Sequence, residues 1–168
     1  EFTMETEKGK LVEEMKIKGS VENQVFYEYM NFIAAKQESA KPIKQEMGKT
    51  DDEDKVAELK AELSALDKEV KDFQKSFIEK NKNTFAAKVF KASPDPEIPE
   101  DLEIPEGETA DRVKFKYFRD HYLDNIDFSD ERYVRTPIYH NKLEYYITKL
   151  TPQIPDSINK AADLIVNK

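Results

Sequence analysis

The sequence contains no cysteine and no tryptophan, and only four glycines and two histidines in 168 residues. Without thiols the chain can neither exchange disulfides nor hold zinc through thiolates. Its glycines stand far apart, so there is no Gly-rich loop of the kind that wraps a phosphate. No serine lies in a Gly-x-Ser-x-Gly turn, and no carboxylate pair is isolated enough to carry a glycosidase assignment. Long apolar runs are missing too. No window approaches the roughly 18 to 20 apolar residues of a membrane span, and no basic-then-apolar leader opens the sequence. It begins Glu1-Phe2-Thr3, which reads as a piece excised from a longer protein.

Positive charge is in deficit, with 27 Lys and Arg against 35 Asp and Glu, for a net charge of -8. Nucleic-acid binding draws most of its affinity from basic groups neutralising phosphates, so nucleic acid is not an expected partner. Direct membrane insertion is not expected either. Charged residues make up 37% and hydrophobic ones 38%, which suits helices that each expose a wide solvated face.

Eighteen aromatic residues are present, and half of them fall between Phe115 and Tyr146. Ahead of that block, Phe2 and Met4 alternate as in a strand. The following Leu11, Val12, Met15 and Ile17 fit a strand or a helical turn equally well. Residues 1–18 are therefore expected to be the tail of a preceding β domain or a linker, and 19–168 a helical domain.

Ser20 predicts a helix N-cap, with Val21, Val25, Tyr29 and Ile33 four apart on one face and the helix ending near Gln37. Pro42 and Gly48 predict a loop over residues 38–50. From Asp51 to Lys80, the series Val56, Leu59, Leu63, Leu66, Val70, Phe73 and Phe77 alternates spacings of three and four, a heptad seam on a helix about 45 Å long. Each seam side chain is worth roughly 1.5 to 3 kcal/mol when buried, so the seam must be covered. The cover is either a coiled-coil partner or the first helix folded back as an antiparallel hairpin, and the hairpin is the expectation.

Asn83 or Thr84 is read as the cap of a short helix ending before Pro94. Residues 93–108 then form an acidic connector. Four prolines, at 94, 96, 99 and 105, oppose regular structure, and eight carboxylates with no base lie between Asp95 and Asp111. The twelve-residue calcium-hand pattern is missing there, so no metal and no cofactor is expected. Beyond it, helices are predicted over 109–123, from Thr136-Pro137 to Leu150, and from Pro155 onward with Ile158, Ala161, Ala162 and Ile165 inward. Ser129 is read as the cap of an intervening turn. The fold class is all-α, with five or six helices: a long hairpin plus a compact aromatic-rich cluster, and a short N-terminal strand.

No catalytic, cofactor-binding or metal-binding residues are assigned. His121, near Asp120 and Asp124, lacks the third convergent group that acid–base or metal chemistry requires. Arginines threaded among tyrosines are also the composition of protein hot spots. Tyr117, His121, Arg135, Tyr139 and His140 are accordingly the candidate binding face, with an aromatic core as the competing reading.

The runs Tyr117-Phe118-Arg119-Asp120-His121-Tyr122, Asp127-Phe128-Ser129-Asp130-Glu131-Arg132, Arg135-Thr136-Pro137-Ile138 and Pro155-Asp156-Ser157-Ile158 carry a resemblance. Together they resemble the helical domain of unknown function that precedes the thioredoxin-like domain in envelope thiol–disulfide oxidoreductases of Gram-negative bacteria. The likeness covers most of residues 19–167. It implies a periplasmic or cell-envelope location, a downstream thioredoxin-like domain as partner in the same chain, and a protein client. The chain itself is then a non-enzymatic accessory or spacer module, because the family's redox cysteines lie in another domain. An independent coiled-coil interaction module is the alternative.

Overall fold

A computed structural model describes residues 1–12 and 14–167. The Phe2/Met4 alternation becomes β1 (Thr3–Glu5), which pairs antiparallel with β2 (Lys16–Lys18), Met4 lying opposite Ile17. Of the two readings left open for Leu11, Val12, Met15 and Ile17, the strand is adopted at Ile17, within β2. Gly19 then turns the chain with φ +82°, where a Cβ would come within 2.8 Å of the Glu1 carbonyl oxygen, so only glycine fits.

Ser20 caps α1 (Val21–Met47), its Oγ accepting from the Asn23 amide. The helix does not stop near Gln37. It runs ten residues further through Pro42, and the expected loop at 38–50 shrinks to 48–52. Proline removes one backbone hydrogen bond and crowds the carbonyl of Glu38. Residue 38 is exposed, so water can take over that carbonyl, and the surrounding Lys, Gln, Glu and Met are good helix formers. Gly48 ends the helix.

Asp52 accepts from the amides of Asp54 and Lys55 to start α2 (Glu53–Lys80). The two helices form the antiparallel hairpin. Glu46 pairs with Lys55 near the loop, Lys36 with Glu69 in the middle, and Tyr29 with Gln74 (2.7 Å) further out. Phe32 stacks on Phe73 with ring centroids 3.6 Å apart. The seam is covered unevenly. Leu59 and Phe77 are buried with Val25 and Tyr29, while Val56, Leu63, Leu66, Val70 and Phe73 stay half-buried.

Thr84 caps α3 (Phe85–Ala92), accepting from Ala87, and the Glu22 carboxylate accepts from both the Phe85 and Ala86 amides at 2.9 Å. The chain divides within α3 into two compact units, Glu1–Lys88 and Val89–Lys168.

In the second unit, residues 93–109 form no regular element, and Thr109 caps α4 (Ala110–His121). A 3-10 turn follows at Glu131–Arg135. Its cap is Asp130, which accepts from Arg132; Ser129, the expected cap, instead donates its hydroxyl to Asp127. Thr136 caps α5 (Pro137–Tyr145), with Pro137 at the first position as its lack of an amide favours. The chain then widens into one π-helical turn, Tyr146–Leu150. The last helix is α6 (Pro155–Val166).

The core of this unit is aromatic and aliphatic: Phe90, Tyr122, Leu123, Ile126, Tyr133, Tyr146 and Leu150 are buried. On α6 only part of the expected inward face is inward. Ala161 is buried, with Ser157 and Ile165 half-buried at four-residue spacing, whereas Ile158 and Ala162 lie about 100° further round and are exposed. The fold is thus all-α, with six α-helices among the described residues and a small two-stranded sheet at the N-terminus.

Candidate functional site

The five residues of the candidate face all lie in the second unit. Tyr117 and His121, one turn apart on α4, touch with ring centroids at 4.2 Å, and His121 Nδ1 sits 2.7 Å from Asp124 Oδ2. Tyr139 on α5 meets the edge of Phe128 at 6.0 Å. His140 is exposed, 3.7 Å from Glu144, and Arg135 is exposed at the end of the 3-10 turn. Among the described residues, no hydrogen bond, ion pair or ring contact joins the Tyr117–His121 pair to Arg135, Tyr139 or His140. No group of three or more metal-ligating side chains is found among the described residues.

A different residue organises this unit. Lys142 is 95% buried; its Nζ donates to the Pro94 carbonyl at 3.0 Å and lies 3.3 Å from Asp95 Oδ1. It also stands 4.3 Å above the Tyr122 ring, where an ammonium is attracted by the negative face of the π system. Burial, followed by the charges of Asp95 and Tyr145, pushes the Tyr122 phenol up to about 12. One ammonium thus ties the first residues of the acidic connector to α5. The available signal was positional, since Lys142 lies four residues before Tyr146, on the edge of an apolar stripe.

The first unit carries an open concavity. Between α1 and α2 a groove of about 520 Å³ is floored by Ile33, Ala40, Leu63, Leu66 and Val70. Lys36, Lys41 and Lys44 rim its α1 side, facing Asp67 and Gln74 on α2. Lys36 pairs with Glu69 and Lys41 with Glu38, while Lys44 makes no ion pair among the described residues. A two-helix layer has no third element to close such a groove, which is why mid-seam leucines remain half-buried. The groove offers apolar contact area edged by lysines on its α1 side. Nearby, Asn31 Oδ1 on α1 is sealed from solvent without a hydrogen-bond partner.

Two compact helical units, one of them bearing an open groove between its two long helices, define a helical scaffold. The chain belongs to the family described as domain of unknown function (DUF5106), whose family model matches residues 44–168. The match takes in α2 and everything after it, including the aromatic block. No curated protein and no solved structure is significantly similar to the chain. No helix among the described residues is long and apolar enough to cross a membrane.

Proposed function

We propose that this chain is a non-catalytic accessory module of a periplasmic or envelope thiol–disulfide oxidoreductase. In this reading it positions a thioredoxin-like domain of the same parent protein, or contacts that domain's client. The observation that carries it is the half-covered seam: Leu63, Leu66 and Val70 remain accessible in a groove wide enough to receive another protein surface. Leaving three such side chains half in water forgoes part of the roughly 1.5 to 3 kcal/mol that each is worth when fully buried, a loss that docking would recover. The four aromatic and proline-led runs between Tyr117 and Ile158 support the assignment to this class, and in this reading the redox cysteines belong to the neighbouring domain. A helix of 28 residues, about 42 Å long, also makes a stiff spacer.

Sequencing the gene beyond the codon for Lys168 tests the placement most directly. A strand–Cys-x-x-Cys–helix pattern is expected; a stop codon, or a following region without that pattern, overturns it.

The same exposed seam favours one alternative, an independent module that dimerises hairpin to hairpin. Light scattering separates the two. A stable dimer that becomes a folded monomer on Leu63→Asp supports the alternative, and a monomer at all concentrations supports the accessory role.

A further inference from the structure

The second unit holds a cavity of about 240 Å³ that the accessory role leaves unused. Three elements build it: Arg119 and Asp120 near the end of α4, Tyr146 at the start of the π-helical turn with Thr151 just after it, and the face of α6 bearing Ser157, Lys160 and Leu164. The π-helical turn is itself a signpost, because single π turns are rare and recur at functional sites. Here it delivers both Tyr146 and Thr151 to the cavity.

Tyr146 is 94% buried, yet its hydroxyl has no hydrogen-bond partner among the described residues. A sealed, unpaired side-chain oxygen occurs among the described residues only at Asn31, so the Tyr146 hydroxyl keeps accessible surface, and the cavity it lines supplies it. Burial pushes this phenol up, the Arg119 charge pulls it down and Asp120 pushes it up again. At neutral pH it is therefore a protonated donor held beside the Arg119–Asp120 pair. Facing the cavity without a protein acceptor, the hydroxyl is free to donate to an oxygen of a bound molecule.

The rest of the wall specifies that acceptor. Asp120 takes two of the five guanidinium N–H groups of Arg119 on a single oxygen, at 3.0 and 2.7 Å, which fixes the fork and leaves three donors. Lys160 makes no ion pair among the described residues, even with Asp156 one turn before it. The α6 N-terminus, with Ile154 at the cap position, has no side-chain cap. Ser157 adds a hydroxyl in the first turn, where the helix dipole favours negative charge. Arg119, Asp120 and Lys160 sum to one positive charge, which matches a monoanion better than a phosphate dianion. Pro152, Ala161 and Leu164 supply an apolar wall.

We infer that this cavity binds a small organic carboxylate carrying a short apolar group. Tyr146, Arg119 and Lys160 would hold the carboxylate oxygens, while Ala161 and Leu164 contact the apolar group. The assignment is independent of the accessory-module reading.

Titrating the 15N-labelled chain with propionate tests it by NMR. Saturable shifts at the amides of Tyr146, Thr151, Ser157 and Lys160 are expected, with a dissociation constant on the order of 1 mM for so small a ligand. Tyr146→Phe keeps the ring and removes only the donor, and should weaken binding about fivefold. Lys160→Gln, at an exposed position, should weaken it by a similar factor, and decides the matter if Tyr146→Phe disturbs the fold. N-acetylalanine distinguishes the sources: tighter binding than propionate assigns the site to peptide C-termini, and weaker binding assigns it to free acids. Absence of saturable shifts at those amides up to about 20 mM propionate, well above the expected constant, would sink the proposal. So would unchanged affinity in Lys160→Gln, or inorganic phosphate binding more tightly at the same amides.

Discussion

The hairpin of the first unit and the helical cluster of the second use similar side chains with different results. In α1 and α2, helices of 27 and 28 residues, only Val25, Tyr29, Leu59 and Phe77 are buried. In the second unit shorter elements bury Tyr122, Leu123, Ile126, Tyr133, Tyr146 and Leu150. The reason is geometric. Two helices share one contact line, so a residue on that line is covered from one side, whereas in the second unit α5 packs against the 3-10 turn and the π-helical turn, and the latter also against α6, so more than two elements share one core. Periodic hydrophobicity reports which face a residue occupies and says little about how many neighbours will cover it.

The strongest way to break this contrast is Tyr133→Ala. Emptying a site that is 1% exposed should cost about 4 kcal/mol, and should unfold the second unit at lower denaturant than the hairpin. Urea unfolding followed by near-ultraviolet and far-ultraviolet signals would show two separated transitions; a single transition shifted as one would argue that the units fold together.

Within the hairpin, the two leucines Leu59 and Leu66 sharpen the comparison. Leu59→Ala removes a fully covered side chain and should cost about 3 kcal/mol, whereas Leu66→Ala, on the groove floor, should cost about 1 kcal/mol or less. Equal losses in chemical denaturation would mean that the groove is closed in solution, by a second copy or another part of the parent.

Lys142→Met should cost about 2 kcal/mol, because the Pro94 carbonyl loses a charge-assisted donor while the exposed Asp95 can return to water. The loss should fall on the second unit alone, and amide exchange around residues 93–96 should quicken.

Glu22→Gln, which withdraws half of a bidentate acceptor from the α3 N-terminus, should cost about 1 kcal/mol, read from the same unfolding curves.

The smallest effect is alkaline. Folded Tyr122 keeps its proton up to about pH 12, against the ordinary phenol value of 10.0, so between those values the folded state binds a proton that the unfolded state has released. Stability contributed by the neutral phenol is therefore intact below pH 10 and declines as pH rises toward 12. Tyr122→Phe should flatten that decline in a pH series of urea midpoints, and an unchanged slope would assign it to other tyrosines.

Much of the local structure was legible residue by residue. Ser20, Thr84 and Thr136 each accept from an amide of the helix they precede, and Pro137 takes the first helical position, because capping involves neighbours a few residues apart. The failures involve partners or compensations that such spacing does not report. Pro42 is tolerated because the carbonyl it orphans is exposed. Asp130 outcompetes Ser129 because the serine hydroxyl is already engaged by Asp127. Glu22 reaches an α3 terminus more than sixty residues away. For the candidate face, periodicity could put Tyr117 and His121 on one side of α4, but could not say whether α5 would turn Tyr139 and His140 toward them.

By itself the sequence determined the all-α class, the caps, the 3–4 seam that calls for a partner helix, and the proline-broken acidic connector, since all of these follow from short-range sterics and hydrogen bonding. Only tertiary structure decided which seam residues stay open, that an ammonium would be buried over Tyr122, and that a π-helical turn would set the Tyr146 hydroxyl in a cavity with Arg119 and Lys160. Those outcomes depend on the three-dimensional convergence of segments distant in sequence, where desolvation and charge pairing act through space and leave no fixed spacing along the chain.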